Sequence, residues 1–252
     1  MQWTDEGFVL GARRHGETSA IVSVFSRARG RHAGLVRGGM GRRLRPVLQV
    51  GNRVTATWRA RLNDQLGSFA IELVAAEAAH LLDRADRLAA LAAAAAVADA
   101  CLPERHPYAR AHDAFAGLIE RLGAEGAWAP AFVRWELALL ADLGFGLDLS
   151  ACAVTGRNDG LAYVSPRTGR AVTAEAAAPY RDRLLALPGF LLGAGPGDDQ
   201  AVRDGLRLTG SFLERHALAA VGRRMPEARV RLLGYFSPRD AISGGITAPD
   251  PT

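Results

Sequence analysis

Lysine is absent from this chain of 252 residues, and all 31 of its basic residues are arginines. The absence excludes Schiff-base and lysine-nucleophile chemistry, as well as any phosphate-binding loop that depends on a lysine. Cysteine is scarce too, since only Cys101 and Cys152 occur. Two cysteines cannot build a disulfide framework or a four-cysteine metal site, and such usage is typical of a reducing compartment.

Long apolar segments and a basic leader are also lacking. The longest apolar run, Leu88 to Ala98, has about half the length of a membrane span and is mostly alanine, which favours a water-soluble helix. The segment from Met1 to Glu6 contains acids where a secretory signal would contain basic residues. We therefore expect a cytoplasmic protein without a membrane segment.

Motifs for catalysis are missing as well. The sequence contains no pair of histidines in a metalloprotease pattern, no Gly-x-Ser-x-Gly elbow and no carboxylate cluster of the kind that a metal-dependent nuclease would need. The run from Gly38 to Gly41 superficially resembles a phosphate-binding loop, but it lacks the Gly-Lys-Ser/Thr ending and a surrounding parallel sheet. We predict that the protein is not an enzyme and uses no cofactor.

What the chain does contain is a globular composition with an uneven distribution of charge. Apolar residues make up 49% and charged residues 23%, which excludes wholesale disorder. Residues 1–61 hold 12 arginines and three acids, a net charge of +9, whereas residues 62–252 hold 19 arginines and 23 acids, a net charge of −4. So basic a segment predicts a module that binds a polyanion. The alternative is a solvated surface on which arginine replaces lysine.

Strand patterns fill the basic segment. In the clearest of them, Val54, Ala56 and Trp58 alternate with polar residues, which predicts one buried and one exposed face. Five short strands within about 75 residues predict a small barrel. The predicted strands are residues 7–13, 19–27, 30–37, 50–61 and 66–74.

Helical periodicity begins after residue 75, so the fold class is α+β. Glycine and proline interrupt the pattern at residues 149–173, which predicts turns with as many as two short strands. We predict one domain at residues 1–76, a helical domain at residues 77–240 and a flexible tail at residues 241–252. The predicted helices are residues 77–100, 107–122, 130–143, 174–187, 198–221 and 229–236.

The arginines of the basic segment are the candidate DNA-binding residues. Guanidinium groups pair bidentately with phosphate oxygens, and their binding releases counterions from the polyanion. A glycine-rich loop that carries three arginines before Pro46 could follow a nucleic-acid backbone closely. The candidates are Arg13, Arg14, Arg27, Arg29, Arg31, Arg37, Arg42, Arg43, Arg45, Arg53, Arg59 and Arg61.

Aromatic residues that could stack on bases are few, and the candidates are Trp3, Phe8, Phe25 and Trp58. For Trp58 we expect core packing, because it shares the apolar face of its strand.

A second arginine cluster lies near the end of the helical half. It could bind an acidic segment of a partner protein or extend the DNA surface. The helical half is acidic overall and apolar on several helix faces, which is typical of a packed bundle or of a groove for a partner peptide. The clustered residues are Arg215, Arg223, Arg224, Arg229 and Arg231.

In the order and spacing of its motifs the chain resembles the RecO family of bacterial recombinational-repair mediators. The resemblance spans roughly residues 1–235, and no single motif in it is as specific as a nucleotide signature. The matching segments are Gly7–Leu10, His15–Thr18, Val24–Gly30, Val36–Gly38, Val164–Gly169, Phe212–His216 and Arg223–Leu232.

The resemblance implies a five-stranded N-terminal OB-fold barrel, a helical domain and a small insertion at residues 149–173 that binds zinc in some members. Of four expected cysteine positions only Cys152 is a cysteine, while Thr155, Val172 and Glu175 occupy the others. We therefore expect a degenerate zinc-finger-like insertion without a metal.

The resemblance also implies a function. It predicts a nucleoid-associated protein that binds single- and double-stranded DNA and anneals complementary strands. It further implies action with RecR to replace single-strand-binding protein by RecA. A different class of function stays open, namely an adaptor whose barrel contacts a partner protein rather than DNA.

Overall fold

The computed structural model describes residues 1–62 and 65–236. These residues form an N-terminal β-barrel followed by a helical half that includes a small three-stranded sheet. None of the helices in this part of the chain is long and apolar enough to span a bilayer. The tail predicted at residues 241–252 lies outside the described residues.

The barrel confirms the five strands predicted from the sequence. It closes in the order β1-β2-β3-β5-β4, with β1 pairing with both β2 and β4. β1 is longer than predicted because Gln2–Phe8 pairs with β4 while Gly7–His15 pairs with β2. The strands are β1 (Gln2–His15), β2 (Ser19–Ser26), β3 (Gly30–Val36), β4 (Arg53–Arg59) and β5 (Ser68–Ala75).

Alternation along the strands fills the barrel and sets its outer face. Val54, Ala56 and Trp58 of β4 are buried in the barrel core, whereas Arg53 and Arg59 at the ends of the same strand are exposed. Strands β3 and β5 close the barrel through one parallel residue pair among the described residues, Leu35 with Ser68.

The helical half contains six α-helices within the described residues. The helices predicted at 107–122 and 130–143 are found within two residues of their predicted ends. Pro130 stands in the first turn of α3, where its missing amide hydrogen costs no hydrogen bond. The helices are α1 (Ala85–Cys101), α2 (Ala109–Gly123), α3 (Ala129–Asp142), α4 (Ala174–Ala177), α5 (Asp199–Phe212) and α6 (Glu227–Gly234).

One predicted helix is interrupted near its start, and another has the predicted extent but contains a π-helical segment. The segment predicted as one helix at 77–100 is a 3-10 helix, Glu77–Leu81, followed by α1, because Arg84 adopts a non-helical backbone conformation with φ −124° and ψ 78°. The helix predicted at 198–221 is found from Asp199 to Ala220, and its residues Leu213–Leu218 are π-helical.

The prediction of a helix at 174–187 is mostly wrong. Only α4 is α-helical there, and a 3-10 helix at Ala178–Arg183 follows it, because Pro179 cannot donate an amide hydrogen to a continuing α-helix. The segment then ends in a short strand, Leu185–Ala186, which pairs with Val164 and Tyr163.

Residues 149–187 thus contain three short strands, β6 (Leu161–Val164), β7 (Ala171–Thr173) and β8 (Leu185–Ala186), which form a sheet in the order β7-β6-β8. Two of them, β6 and β7, lie where the sequence predicts two short strands.

The helical half packs on the outer face of β1 and β2. Phe8 and Phe25 point away from the barrel core and contact Phe115 of α2, with ring centroids 5.4 and 6.2 Å apart. Gly30 (φ +68°) permits a close approach at this junction, because a Cβ there would lie 1.9 Å from the carbonyl oxygen of His106. No helix of residues 1–62 or 65–236 covers the outer face of β4 and β5, and Arg53, Arg59 and Ala70 on that face are exposed.

Candidate nucleic-acid interface

A groove runs along the side of the barrel where β3, β4 and β5 meet the loop between β3 and β4. It encloses about 490 Å³, and Arg37, Arg43 and Arg59 line it together with Thr57 and Ser68. We call it the arginine groove and define it by its three arginines. Its remaining lining residues are Val36, Leu44, Phe69, Ala70 and Ile71.

These arginines come from three different elements: strand β4, the end of strand β3 and the loop between β3 and β4. Arg59 lies on the outer face of β4 by strand alternation, and Arg37 directly follows the last residue of β3. Arg43 belongs to the glycine-rich loop, which is a succession of turns closed by backbone hydrogen bonds such as Gly41 N–H to Gly38 C=O at 2.9 Å. Leu48 is buried in the barrel core and anchors the end of that loop.

Most of the twelve candidate arginines present free guanidinium groups. Among the described residues, seven of them form no side-chain hydrogen bond, ion pair or ring contact, and all seven are exposed. An exposed, unpaired guanidinium keeps all five N–H donors for a phosphate. The seven are Arg13, Arg37, Arg42, Arg43, Arg45, Arg59 and Arg61.

Four further candidates are exposed but already engaged. Arg14 donates to the carbonyl of Gly16 across the β1–β2 turn at 3.1 Å. Arg27 makes two hydrogen bonds to Asp113 of α2, at 2.8 and 3.0 Å, which lower the pKa of that carboxyl. Arg53 lies 3.9 Å from the Glu77 carboxylate. The fourth, Arg29, covers a tryptophan ring at the end of the barrel. Exposed contacts of this kind are weak and are screened by salt, so a phosphate can compete for these groups.

Arg31 occupies a different position from the other candidates. Its side chain is only 12% exposed and lies at the junction with the helical half. Nε donates to the carbonyl of Leu102 at 2.7 Å, and Nη1 lies 3.4 Å from Asp99 and 3.2 Å from Glu104. The structure therefore places Arg31 in an interface within the chain and away from the arginine groove.

The second arginine cluster does not form one exposed surface. Arg229 is buried and paired with Glu136, so its guanidinium group is not presented to a partner. Arg223 donates to the carbonyl of Asp99 at 3.0 Å, and Arg215 donates to that of Pro166 at 2.5 Å. Of the remaining two, Arg231 pairs with Glu227 within α6 at 3.3 Å, and Arg224 is exposed without a side-chain contact among the described residues.

Only one of the four aromatic candidates for base stacking keeps an exposed part. Phe8 and Phe25 are buried under α2, and Trp58 is buried in the barrel with its Nε1–H donated to the Leu66 carbonyl at 3.0 Å. Core packing of Trp58, which the strand pattern predicts, is thus confirmed. Trp3 remains half-buried at the end of the barrel.

Residues 149–173 do not fit a zinc ion. The buried Cys152 thiol accepts hydrogen bonds from the backbone N–H groups of Thr155 and Thr173, at 3.5 and 3.4 Å. Val172 packs against it in a small apolar cluster, and Glu175 is exposed beside Arg157. Within the described residues no group of three or more His, Cys, Asp or Glu side chains is placed to bind a metal.

The hydrogen bonds also change the acidity of Cys152. Burial raises the pKa of the thiol, but the bonds from Thr155 and Thr173 outweigh it and lower the pKa to about 6. The two N–H donors therefore stabilise the thiolate form of Cys152.

Comparison with known proteins places both parts of the chain in one family. The family model "Recombination protein O N terminal" matches residues 1–76, and the model "Recombination protein O C terminal" matches residues 82–225. The chain is 58% identical over 240 residues to the DNA repair protein RecO of Rhodospirillum rubrum, which covers 92% of this chain and 95% of that protein. It is 53% identical to the DNA repair protein RecO of Rhodospirillum centenum over 251 residues, covering 99% and 100% of the two chains.

Proposed function

The chain belongs to the RecO family of DNA repair proteins, and we propose that it is a non-enzymatic, DNA-binding recombination mediator. It binds single- and double-stranded DNA, anneals complementary strands and, with RecR, helps to load RecA onto DNA that single-strand-binding protein has coated. Residues 1–76 form the DNA-binding unit, and residues 77–240 form the helical unit with the small insertion at 149–173. The partners and the loading reaction rest on family membership.

The observation that carries the DNA-binding proposal is the arginine groove with its unpaired guanidinium groups. Arg37, Arg43 and Arg59 line the groove, and no described carboxylate forms an ion pair with them. A phosphodiester backbone laid along the groove would gain bidentate hydrogen bonds and release its counterions. Because these contacts go to phosphates, they fix the position of a strand without reading its sequence.

Annealing follows from the same electrostatics. Two complementary strands repel each other through their phosphates, and exposed arginines on one barrel reduce that repulsion for a strand that they hold. Base pairing between the strands then supplies the driving force. No nucleotide hydrolysis is needed for this step.

The salt dependence of DNA affinity tests the proposal. Fluorescence anisotropy of a labelled single-stranded oligonucleotide should give a log–log slope of about −3 to −4, which corresponds to roughly five phosphate contacts at about −0.7 each. The variant Arg37→Gln/Arg43→Gln/Arg59→Gln should bind more weakly and reduce the magnitude of the slope by about 2. It should also anneal two labelled complementary strands more slowly.

A matched control variant removes the same number of positive charges from the helical half. Arg110, Arg167 and Arg183 are exposed, lie in the helical half and have no side-chain contact among the described residues. Their triple substitution by Gln should leave the slope within about 0.5 of the unsubstituted protein. Absence of binding to either form of DNA at low salt would overturn the proposal and favour a protein-binding adaptor. Strand cleavage that EDTA abolishes would instead indicate a nuclease.

A further inference from the structure

The end of the barrel beside the β2–β3 turn carries an aromatic pocket that is separate from the arginine groove. It encloses about 500 Å³ and combines two tryptophans with basic side chains. We call it the barrel-end pocket and define it by its lining residues: Trp3, Ala28, Arg29, His32, Trp58, Arg105 and Pro107. None of these residues is acidic.

Trp3 forms the ring surface of this pocket. It stands opposite Trp58 in the pairing of β1 with β4, and the two rings are stacked with centroids 6.1 Å apart and planes 20° apart. His32 and Phe69 meet Trp3 edge-on, at 5.1 and 5.9 Å, so the indole is held in one orientation. Trp3 is half-buried, and the Arg29 guanidinium lies 5.8 Å from the centroid of its ring.

His32 supplies an unsatisfied polar group at the same place. Its side chain points into the barrel end and only 5% of the residue is exposed, yet Nε2 has no hydrogen-bond partner among the described residues. A buried polar atom without a partner is unfavourable, and a ligand with a polar edge would satisfy it. Burial, with the charges of Arg105, Arg29 and Arg31, lowers the pKa of His32 to about 4. The neutral ring keeps one donor and one acceptor nitrogen.

We propose that the barrel-end pocket receives one unpaired nucleobase of single-stranded DNA. The base stacks on Trp3 in the place that the Arg29 guanidinium covers in the free protein, and its polar edge faces His32. Arg29, displaced from the ring, pairs with the adjacent phosphate. This inference rests on the proposed DNA binding and names a second contact, one to a base, for the same barrel.

The chemistry of the pocket favours a base over other flat ligands. A ring of Trp with a guanidinium beside it matches a nucleotide, which joins a π-surface to an anionic phosphate. The paired bases of a duplex are stacked and hydrogen-bonded to each other, so they cannot enter without unpairing. The pocket should therefore raise affinity for single strands and leave affinity for duplex DNA unchanged.

The test compares two single strands of equal length and charge, an oligothymidylate and an abasic strand, by anisotropy at one salt concentration. The unsubstituted protein should bind the oligothymidylate more tightly than the abasic strand. Trp3→Leu should weaken oligothymidylate binding by about 5- to 150-fold, the equivalent of stacking one base. It should leave binding of the abasic strand and of duplex DNA unchanged, and Trp3→Phe should keep much of the affinity.

Quenching of tryptophan fluorescence in the unsubstituted protein is a second measurement, and it does not require the Trp3→Leu variant to fold. Trp58, Trp128 and Trp135 are buried, so Trp3 is the indole that a base can reach. Oligothymidylate should quench fluorescence of the unsubstituted protein, the abasic strand should not, and Trp3→Phe should bind with little quenching.

The two proposals fail in different ways. If oligothymidylate and the abasic strand bind equally and no quenching occurs, the barrel-end pocket holds no base, while phosphate binding in the arginine groove stands. If neither strand nor duplex binds at low salt, the DNA-binding function itself fails.

Discussion

Arg229 of α6 and Glu136 of α3 form a buried ion pair between two helices of the helical half. Nε lies 2.6 Å from Oε1 and Nη2 lies 2.9 Å from Oε2, and the two side chains are 4% and 0% exposed. Arg229 also donates to the carbonyl of Leu206, and Thr209 donates its hydroxyl to Glu136. The pair therefore links α3, α5 and α6, and it withdraws Arg229 from any surface.

Removal of one partner of this pair should be strongly destabilising. Arg229→Leu leaves the Glu136 carboxylate buried without its cation, and we expect a loss of about 3–5 kcal/mol in the free energy of unfolding. The double variant Arg229→Leu/Glu136→Leu should recover most of that loss, because no uncompensated charge remains. Urea unfolding measures both, and Arg231→Leu, on the exposed side of α6, should change the value by less than about 0.5 kcal/mol. Equal stability of Arg229→Leu and Arg231→Leu would contradict the buried pair.

Arg31 should contribute to the stability of the fold rather than to DNA binding. Its substitution by Gln removes two ion pairs and a charged hydrogen bond from the junction between barrel and helices, so we expect a loss of about 1–3 kcal/mol. The salt slope of DNA binding should stay unchanged. Arg13→Gln, also on the barrel but exposed and unpaired, should show the reverse: unchanged unfolding and a slightly smaller slope. Chemical denaturation and anisotropy on the same two preparations decide between the two roles.

His32 should make stability depend on pH. Burial holds the pKa of the folded protein's His32 at about 4, below the usual 6.5, so the unfolded chain takes up the proton first as pH falls. The stabilising contribution of the neutral ring is present above pH 6.5 and is lost between about pH 6.5 and 4, by a few kcal/mol at most.

The measurement is the midpoint of thermal unfolding between pH 7.5 and 4. His32→Gln should lose less stability over this range than the unsubstituted protein, whereas His80→Gln, whose side chain is exposed, should follow the unsubstituted curve. Parallel curves for His32→Gln and the unsubstituted protein would show that His32 is not buried in its neutral form.

The two cysteines should differ widely in acidity. Hydrogen bonds from Thr155 and Thr173 lower the pKa of Cys152 to about 6 against the effect of burial, whereas burial and the charge of Glu136 raise that of Cys101 to about 12. Thiolate absorbance at 240 nm, followed from pH 4.5 to 8.5, should therefore rise by one thiolate with a midpoint near 6. Cys152→Ser should abolish the rise and Cys101→Ser should preserve it. A midpoint above 8 in the native protein would show that the N–H groups do not hold a thiolate.

Local sequence patterns were sufficient to predict much of the fold. The alternation of Val54, Ala56 and Trp58 with exposed residues identifies β4 and its buried face, because side chains of a strand alternate whatever the strand packs against. The same holds for α3, whose start is marked by Pro130. The structure of residues 174–187 could not be predicted from local patterns. Leu185 and Ala186 form a strand only because they pair with β6, which is distant in sequence.

The candidate site, too, was predicted in part from local sequence patterns and depends in part on tertiary contacts. Composition, strand alternation and motif order were sufficient to predict that residues 1–61 are strongly basic, that residues 1–76 contain a five-stranded barrel and that the chain resembles the RecO family. Contacts between distant segments place Arg59 in a groove, whereas they engage Arg31 and Arg229 in hydrogen bonds and ion pairs within the protein. The physical reason is that a guanidinium carries the same charge everywhere, and its availability depends on which distant carboxylate or carbonyl the fold brings to it.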